Sequence, residues 1–175
     1  IKFEDYLNLL LDSKGYDGVC FSQRYRPKNS FSSFENESKV MVSAIPKFIE
    51  ALIKFNSKSN KDKKYTRLVI VGSSYSSMIG KDQGWEYHAI KSSQLSLVKF
   101  FSLHSDGNFN INMMSPATFI KEGAKDYWDK QKLSKKWQKF PTKRLLTSKE
   151  IAIAIINQLI YGDKNISGNN IFIDG

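Results

Sequence analysis

The chain has 175 residues, 41% of them apolar, enough for one domain with its own core, and its single cysteine, Cys20, excludes a disulfide framework and a cysteine-built metal site. The formal charge of +10 comes from Lys and Arg gathered between Lys58 and Arg67 and between Lys121 and Lys149; a solvated lysine-rich surface accounts for it without a nucleic-acid partner. The longest apolar run, Ile151 to Ile160, is broken by Asn157 and Gln158 and falls short of a membrane span, and no signal-peptide pattern opens the sequence, so the expected location is cytoplasmic.

Apolar residues at Phe3, Tyr6, Leu7, Leu10 and Leu11 predict a helix that Gly15 ends, and Tyr16 to Phe21 reads as a strand entered through Asp17-Gly18. A polar loop from Asn29 to Ser38 follows, anchored by Phe31 and Phe34. Helical spacing then returns from Glu37 to Phe55 through Val40, Ile45, Phe48, Ile49, Leu52 and Ile53. Asn56 to Lys64 is a charged surface loop. Arg67 to Val71 is a β-branched run read as a buried strand, and Gly72-Ser73-Ser74 is where it should stop.

Trp85 opens a long helix whose buried face is predicted to carry Ala89, Ile90, Leu95, Leu97, Val98 and Phe101. Gly107 to Met114 is the next strand, and Pro116 is expected to fix a turn at its carboxyl end, where open parallel sheets bind ligands. Ile120 to Phe140 mixes lysines with Tyr127, Trp128 and Trp137. Ser148 is the predicted cap of a helix from Lys149 to Tyr161, buried through Ile151, Ala152, Ile155, Ile156 and Leu159. Asn170 to Ile173 is the last strand.

Chemistry concentrates between Arg67 and Lys91. Tyr87 and Lys91 stand four apart, so on a helix both side chains project from one face. A phenol beside an ammonium is a proton-transfer pair, because positive charge favours the phenolate form. Ser74, at the strand end, can bring a hydroxyl to the same cleft. Together they are the parts of a site that moves a proton onto or off a substrate oxygen.

The spacing of Ser74, Tyr87 and Lys91 resembles the Ser/Tyr-x-x-x-Lys site of the short-chain dehydrogenase/reductases, and further stretches follow that family in order. Asn110-Ile-Asn-Met-Met-Ser-Pro116-Ala looks like its next strand and Pro-Gly turn, with Ala117 in the Gly place. Phe140-Pro-Thr-Lys-Arg144 and the helix that Glu150 enters are similar to its Pro-x-x-Arg segment and the helix beyond. Ser167-Gly-Asn-Asn-Ile-Phe-Ile-Asp174-Gly resembles its closing strand. The family's Asn-Asn-Ala-Gly is absent, its place taken by Ser22 to Pro27, and Ser43 falls where the family has a helix Asn that completes a proton relay.

The resemblance implies a single three-layer Rossmann-like α/β domain with a parallel sheet over residues 1–175, lacking the first strands and the Gly-rich turn of the nucleotide-binding half. It implies reversible hydride transfer between NAD or NADP and a small carbonyl or hydroxyl substrate. Tyr87 is then the general acid/base, Lys91 lowers its pKa and holds the nicotinamide ribose, Ser74 polarises the substrate oxygen, and Pro116 and Ala117 border the nicotinamide. Residues 120–140 become a substrate-binding lid whose cationic character favours an anionic substrate. The helices from Glu37 and Trp85 are expected to pair with their copies in a homo-oligomer, with no nucleic acid, membrane or metal involved. The strand at Tyr16 to Phe21 is expected to be an apolar sheet edge covered either by an amino-terminal part outside this sequence or by another chain. The alternative is a catalytically silent relative of the same fold, serving as a binding or assembly subunit.

Overall fold

Four parallel strands carry the molecule in the computed structural model, which describes residues 2–25, 34–58, 65–121, 138 and 140–175. They are β1 (Gly18–Phe21), β2 (Thr66–Val71), β3 (Phe109–Pro116) and β6 (Asn170–Ile173), hydrogen-bonded in the order β1-β2-β3-β6. Register runs Gly18 against Arg67, Arg67 against Asn110, and Met113 against Asn170. A parallel sheet needs helical crossovers that cover its faces, and here these leave all eight residues of β3 buried.

On one face lie α1 (Phe3–Ser13), α3 (Ala44–Lys58) and α4 (Trp85–Leu103). Leu10, Ile45, Ile49, Leu52 and Val98 meet Leu68, Ile70, Ile111 and Met113 in the main core, so alternate residues of β2 and β3 face these helices. The other face takes α5 (Ser148–Tyr161), whose Ile151 is buried. Polar residues of β3 tie down the connection from α5 to β6. The Asn110 amide donates to the Asp163 and Ile166 carbonyls, the Asn112 amide donates to the Ile166 carbonyl, and Asn112 Oδ1 accepts from the Asn169 amide. The result is the expected parallel, three-layer α/β arrangement.

Several local expectations are corrected. The helix read from Glu37 to Phe55 is two, α2 (Phe34–Met41) and α3, because Pro46 cannot donate to the Val42 carbonyl and its ring disfavours a continuous helix there. The Val42 and Ser43 amides both donate to the Ser38 carbonyl at 2.9 Å, and Pro46 is left in the first turn of α3, where its missing N–H costs nothing. Pro116 ends β3 rather than turning beyond it. Thr147, not Ser148, caps α5: its hydroxyl accepts from the Glu150 amide while the Glu150 carboxylate accepts from the Thr147 amide. Ala152 and Ile156, expected on the buried face of α5, are exposed. A short parallel pair, β4 (Phe119–Ile120) with β5 (Leu146–Thr147), was not anticipated.

As expected, β1 is an edge strand. A groove of about 890 Å³ runs beside it, lined by Tyr6, Val19, Cys20, Phe21, Val40 and Phe48 among others. Burial pushes the Cys20 thiol pKa up, which keeps it a protonated small hydrophobe in that groove.

Candidate active site

At the carboxyl ends of the four strands the chain opens a cleft of about 1000 Å³. Ser22 to Arg24 enter it beyond β1, Val71 to Tyr75 at and beyond the end of β2, Pro116 to Phe119 at and beyond the end of β3, and Asp174 beyond β6. Ligands bind parallel sheets there because strand ends and helix starts converge on one rim. Ser74, Tyr87, Lys91, Pro116 and Ala117, all singled out from the sequence, line this single cleft.

Local chemistry places each of them. The Ser73 hydroxyl accepts from the Tyr75 amide and starts a short 3-10 turn, Ser74–Ser76, which sets Ser74 at the rim. Gly84 takes the extended conformation before α4, so Tyr87 falls in its first turn and Lys91 one turn further on. Ser92 holds α4 to the 3-10 turn by donating to the Ser76 carbonyl at 3.1 Å. Among the described residues, no protein hydrogen bond occupies the Ser74 or the Tyr87 hydroxyl, which leaves both for a substrate oxygen.

Lys91 is only 5% exposed, and its ammonium donates to the Val71 carbonyl and to Gln94 Oε1, each at 2.9 Å. Both acceptors are neutral. Burial, and then the nearby Arg24 charge, bring its pKa down from 10.5 to about 8. The ammonium lies 5.9 Å from the centre of the Tyr87 ring, so the two groups expected to work together are neighbours.

Three features of the site escaped the sequence reading. Gln94 is 2% exposed and bridges Lys91 to the Met41 carbonyl, donating to the latter at 2.7 Å. This bridge, rather than Ser43, is what connects Lys91 to the break between α2 and α3. Its spacing of three from Lys91 on one helix was a usable signal. Tyr75 sets a second phenol 6.3 Å from Tyr87, ring centre to ring centre, and donates to Asp82 at 2.5 Å. That hydrogen bond, with burial and the Asp82 charge, pushes the Tyr75 pKa up to about 12 and keeps it a proton-holding wall of the cleft. Arg24, inside the segment noted only for a motif it lacks, places its guanidinium carbon 5.3 Å from the Tyr87 ring centre.

Of the proposed lid, residues 122–137 and 139, with Tyr127, Trp128 and Trp137, lie outside the described residues. The described flanks, Lys121, Phe140 and Pro141, do line the cleft. No group of three or more His, Cys, Asp or Glu among the described residues is placed to hold a metal ion, and no described helix is long and apolar enough to cross a membrane.

No protein-family model and no curated protein matches the sequence. Solved structures do match the fold. A 3-oxoacyl-[acyl-carrier protein] reductase from Brucella melitensis in complex with NAD superposes with a TM-score of 0.80 at 17% identity, over 99% of this chain and 72% of that one. A gluconate 5-dehydrogenase from Burkholderia cenocepacia in complex with NADP and tartrate gives 0.76 at 17%, over 99% and 69%. A short chain dehydrogenase family protein from Francisella tularensis gives 0.71 at 19%, over 99% and 76%. The chain therefore has the fold of the short-chain dehydrogenase/reductases.

Proposed function

We propose that this chain, which has the short-chain dehydrogenase/reductase fold, belongs to that family and contributes the proton-transfer half of an NAD(P)-dependent oxidoreductase. The observation that carries the reading is the meeting of Ser74, from the turn after β2, with Tyr87 and Lys91, from α4, in one cleft at the strand ends. Tyr87 gives its phenolic proton to the substrate oxygen as hydride arrives on the adjoining carbon, and takes it back in oxidation. Ser74 donates a hydrogen bond to the same oxygen. Lys91 stabilises the phenolate left behind; with two of its donors on Val71 and Gln94, the third is available to a ribose hydroxyl. The nicotinamide cofactor supplies or accepts the hydride, and Pro116 and Ala117 would border its ring. Bound NAD in one solved structure of this fold and NADP in another supports either dinucleotide. Apolar side chains exposed on α4, Phe100 and Leu103, suit the homo-oligomer that belongs to the same reading.

The test is NADH and NADPH oxidation by the full chain against a panel of small oxo acids, ketones and aldehydes, beside Tyr87→Phe. Loss of the phenolic proton is expected to lower turnover about 10²–10⁴-fold. Turnover unchanged in Tyr87→Phe would remove this mechanism.

A second reading is a catalytically silent binding subunit, favoured by Arg24, which lies over Tyr87 in the segment that replaces the family's Asn-Asn-Ala-Gly. It predicts saturable binding of a carbonyl compound or nucleotide with no oxidation of either dinucleotide.

A further inference from the structure

Arg24 and Lys91 bracket one phenol, with the guanidinium carbon 5.3 Å and the ammonium 5.9 Å from the centre of the Tyr87 ring. Like charges held this close repel. No described carboxylate forms an ion pair with either cation: Asp82, in the same cleft, accepts from Tyr75, and Asp174 stands at its β6 end. Lys91 is a buried cation with only neutral acceptors, whereas buried charges in proteins are ordinarily paired. Arg24 is exposed, and among the described residues no hydrogen bond or ion pair occupies its N–H donors. A guanidinium placed over the ring keeps N–H donors for a bidentate acceptor.

We propose that Arg24 makes the Tyr87 cleft an oxyanion-recognising site, which takes a carboxylate or phosphate group on the molecule whose oxygen meets Tyr87. The inference rests on the reading of Tyr87 as proton donor only for where that oxygen sits. An oxyanion bound by Arg24 offsets the guanidinium charge and so relieves its repulsion of Lys91. The aromatic platform holds the guanidinium in place beforehand, so less side-chain freedom is lost on binding. Two chemistries can supply the group: the carboxylate of a small oxo or hydroxy acid, or a phosphate of the dinucleotide. A cleft of about 1000 Å³ is large enough for a small acid beside a nicotinamide.

The experiment needs no turnover. The full chain and Arg24→Gln, labelled at lysine Cε, are titrated by NMR across the Lys91 midpoint with oxalate and, separately, with NADH; Lys91→Arg assigns the signal. An anion at Arg24 offsets the like charge on Lys91, so the midpoint rises from about 8 on binding. Arg24→Gln is expected to weaken that binding roughly tenfold to a hundredfold, the worth of a charge-assisted hydrogen bond. A response to oxalate assigns the site to a carboxylate, and a response to NADH alone assigns it to the dinucleotide phosphate. No response to either at millimolar concentration, or an equal response in Arg24→Gln, overturns the proposal. Failure of the oxidoreductase reading appears elsewhere, as turnover indifferent to Tyr87→Phe, with the oxyanion response intact.

Discussion

Replacing the buried ammonium by a neutral chain of similar length, Lys91→Met, tests the electrostatics of the site through stability alone. In the unfolded chain Lys91 has its ordinary pKa near 10.5; in the fold, burial and Arg24 bring it to about 8. Between those values the unfolded chain binds the proton and the folded one does not, so protonation favours unfolding there. Stability contributed by this position is therefore lowest below pH 8, where the charged form is buried, and rises with pH toward 10.5. The fall from 10.5 to about 8 integrates to about 2.5 kcal/mol gained between pH 7 and pH 10. Lys91→Met lacks this gain. The variant also strands the Val71 carbonyl and Gln94 Oε1 without a donor, a cost of about 1–3 kcal/mol for each acceptor that is independent of pH. Only the slope is diagnostic. Urea denaturation followed by circular dichroism at pH 7 and pH 10 should show wild type gaining about 2.5 kcal/mol on the variant, other titrating groups cancelling in the difference. Parallel profiles would refute the burial of a charged Lys91.

Two further substitutions probe what holds the cleft. Gln94→Leu removes the bridge between Lys91 and the Met41 carbonyl and is expected to destabilise the fold by about 1–3 kcal/mol; an unchanged urea midpoint would mean that water replaces the amide. Gly80→Ala places a Cβ 2.4 Å from the Tyr75 ring, forcing Tyr75 away from Asp82. A melting-temperature loss corresponding to about 1–3 kcal/mol is expected, along with a Tyr75 phenol that titrates below about 12; an unchanged melt and phenol titration would show that the loop yields freely.

Much of the scaffold was legible because its signals are local. The helical stripe of α1, the β-branched run of β2 and the turn residues Gly72 to Ser74 each declare themselves within one element. The four-residue step from Tyr87 to Lys91 needs only that α4 be a helix. Errors arose where two local rules compete. Pro46 outweighed a continuous apolar stripe from Glu37 to Phe55, and the capping box from Thr147 to Glu150 took the helix start from Ser148. The apolar face of α5 was misjudged because Ile occurs all round that helix, so periodicity does not choose which isoleucines meet the sheet. Ile151 is buried and Ile156 is 49% exposed.

Sequence alone was enough to establish the alternation of strands and helices and the identity of Ser74, Tyr87 and Lys91 as candidates, since side chains one turn apart, or at the end of one strand, have their relative direction set by backbone geometry. Tertiary structure decided what surrounds them. Arg24 meets Tyr87 only because β1 and β2 pair with Phe21 against Ile70, which brings the loop after β1 to the rim where α4 begins. Gln94 meets Met41 across 53 positions of chain only because α4 packs beside α2. Contacts of that kind depend on strand register and helix packing, which the sum of many weak apolar interactions selects, so no short stretch of sequence encodes them.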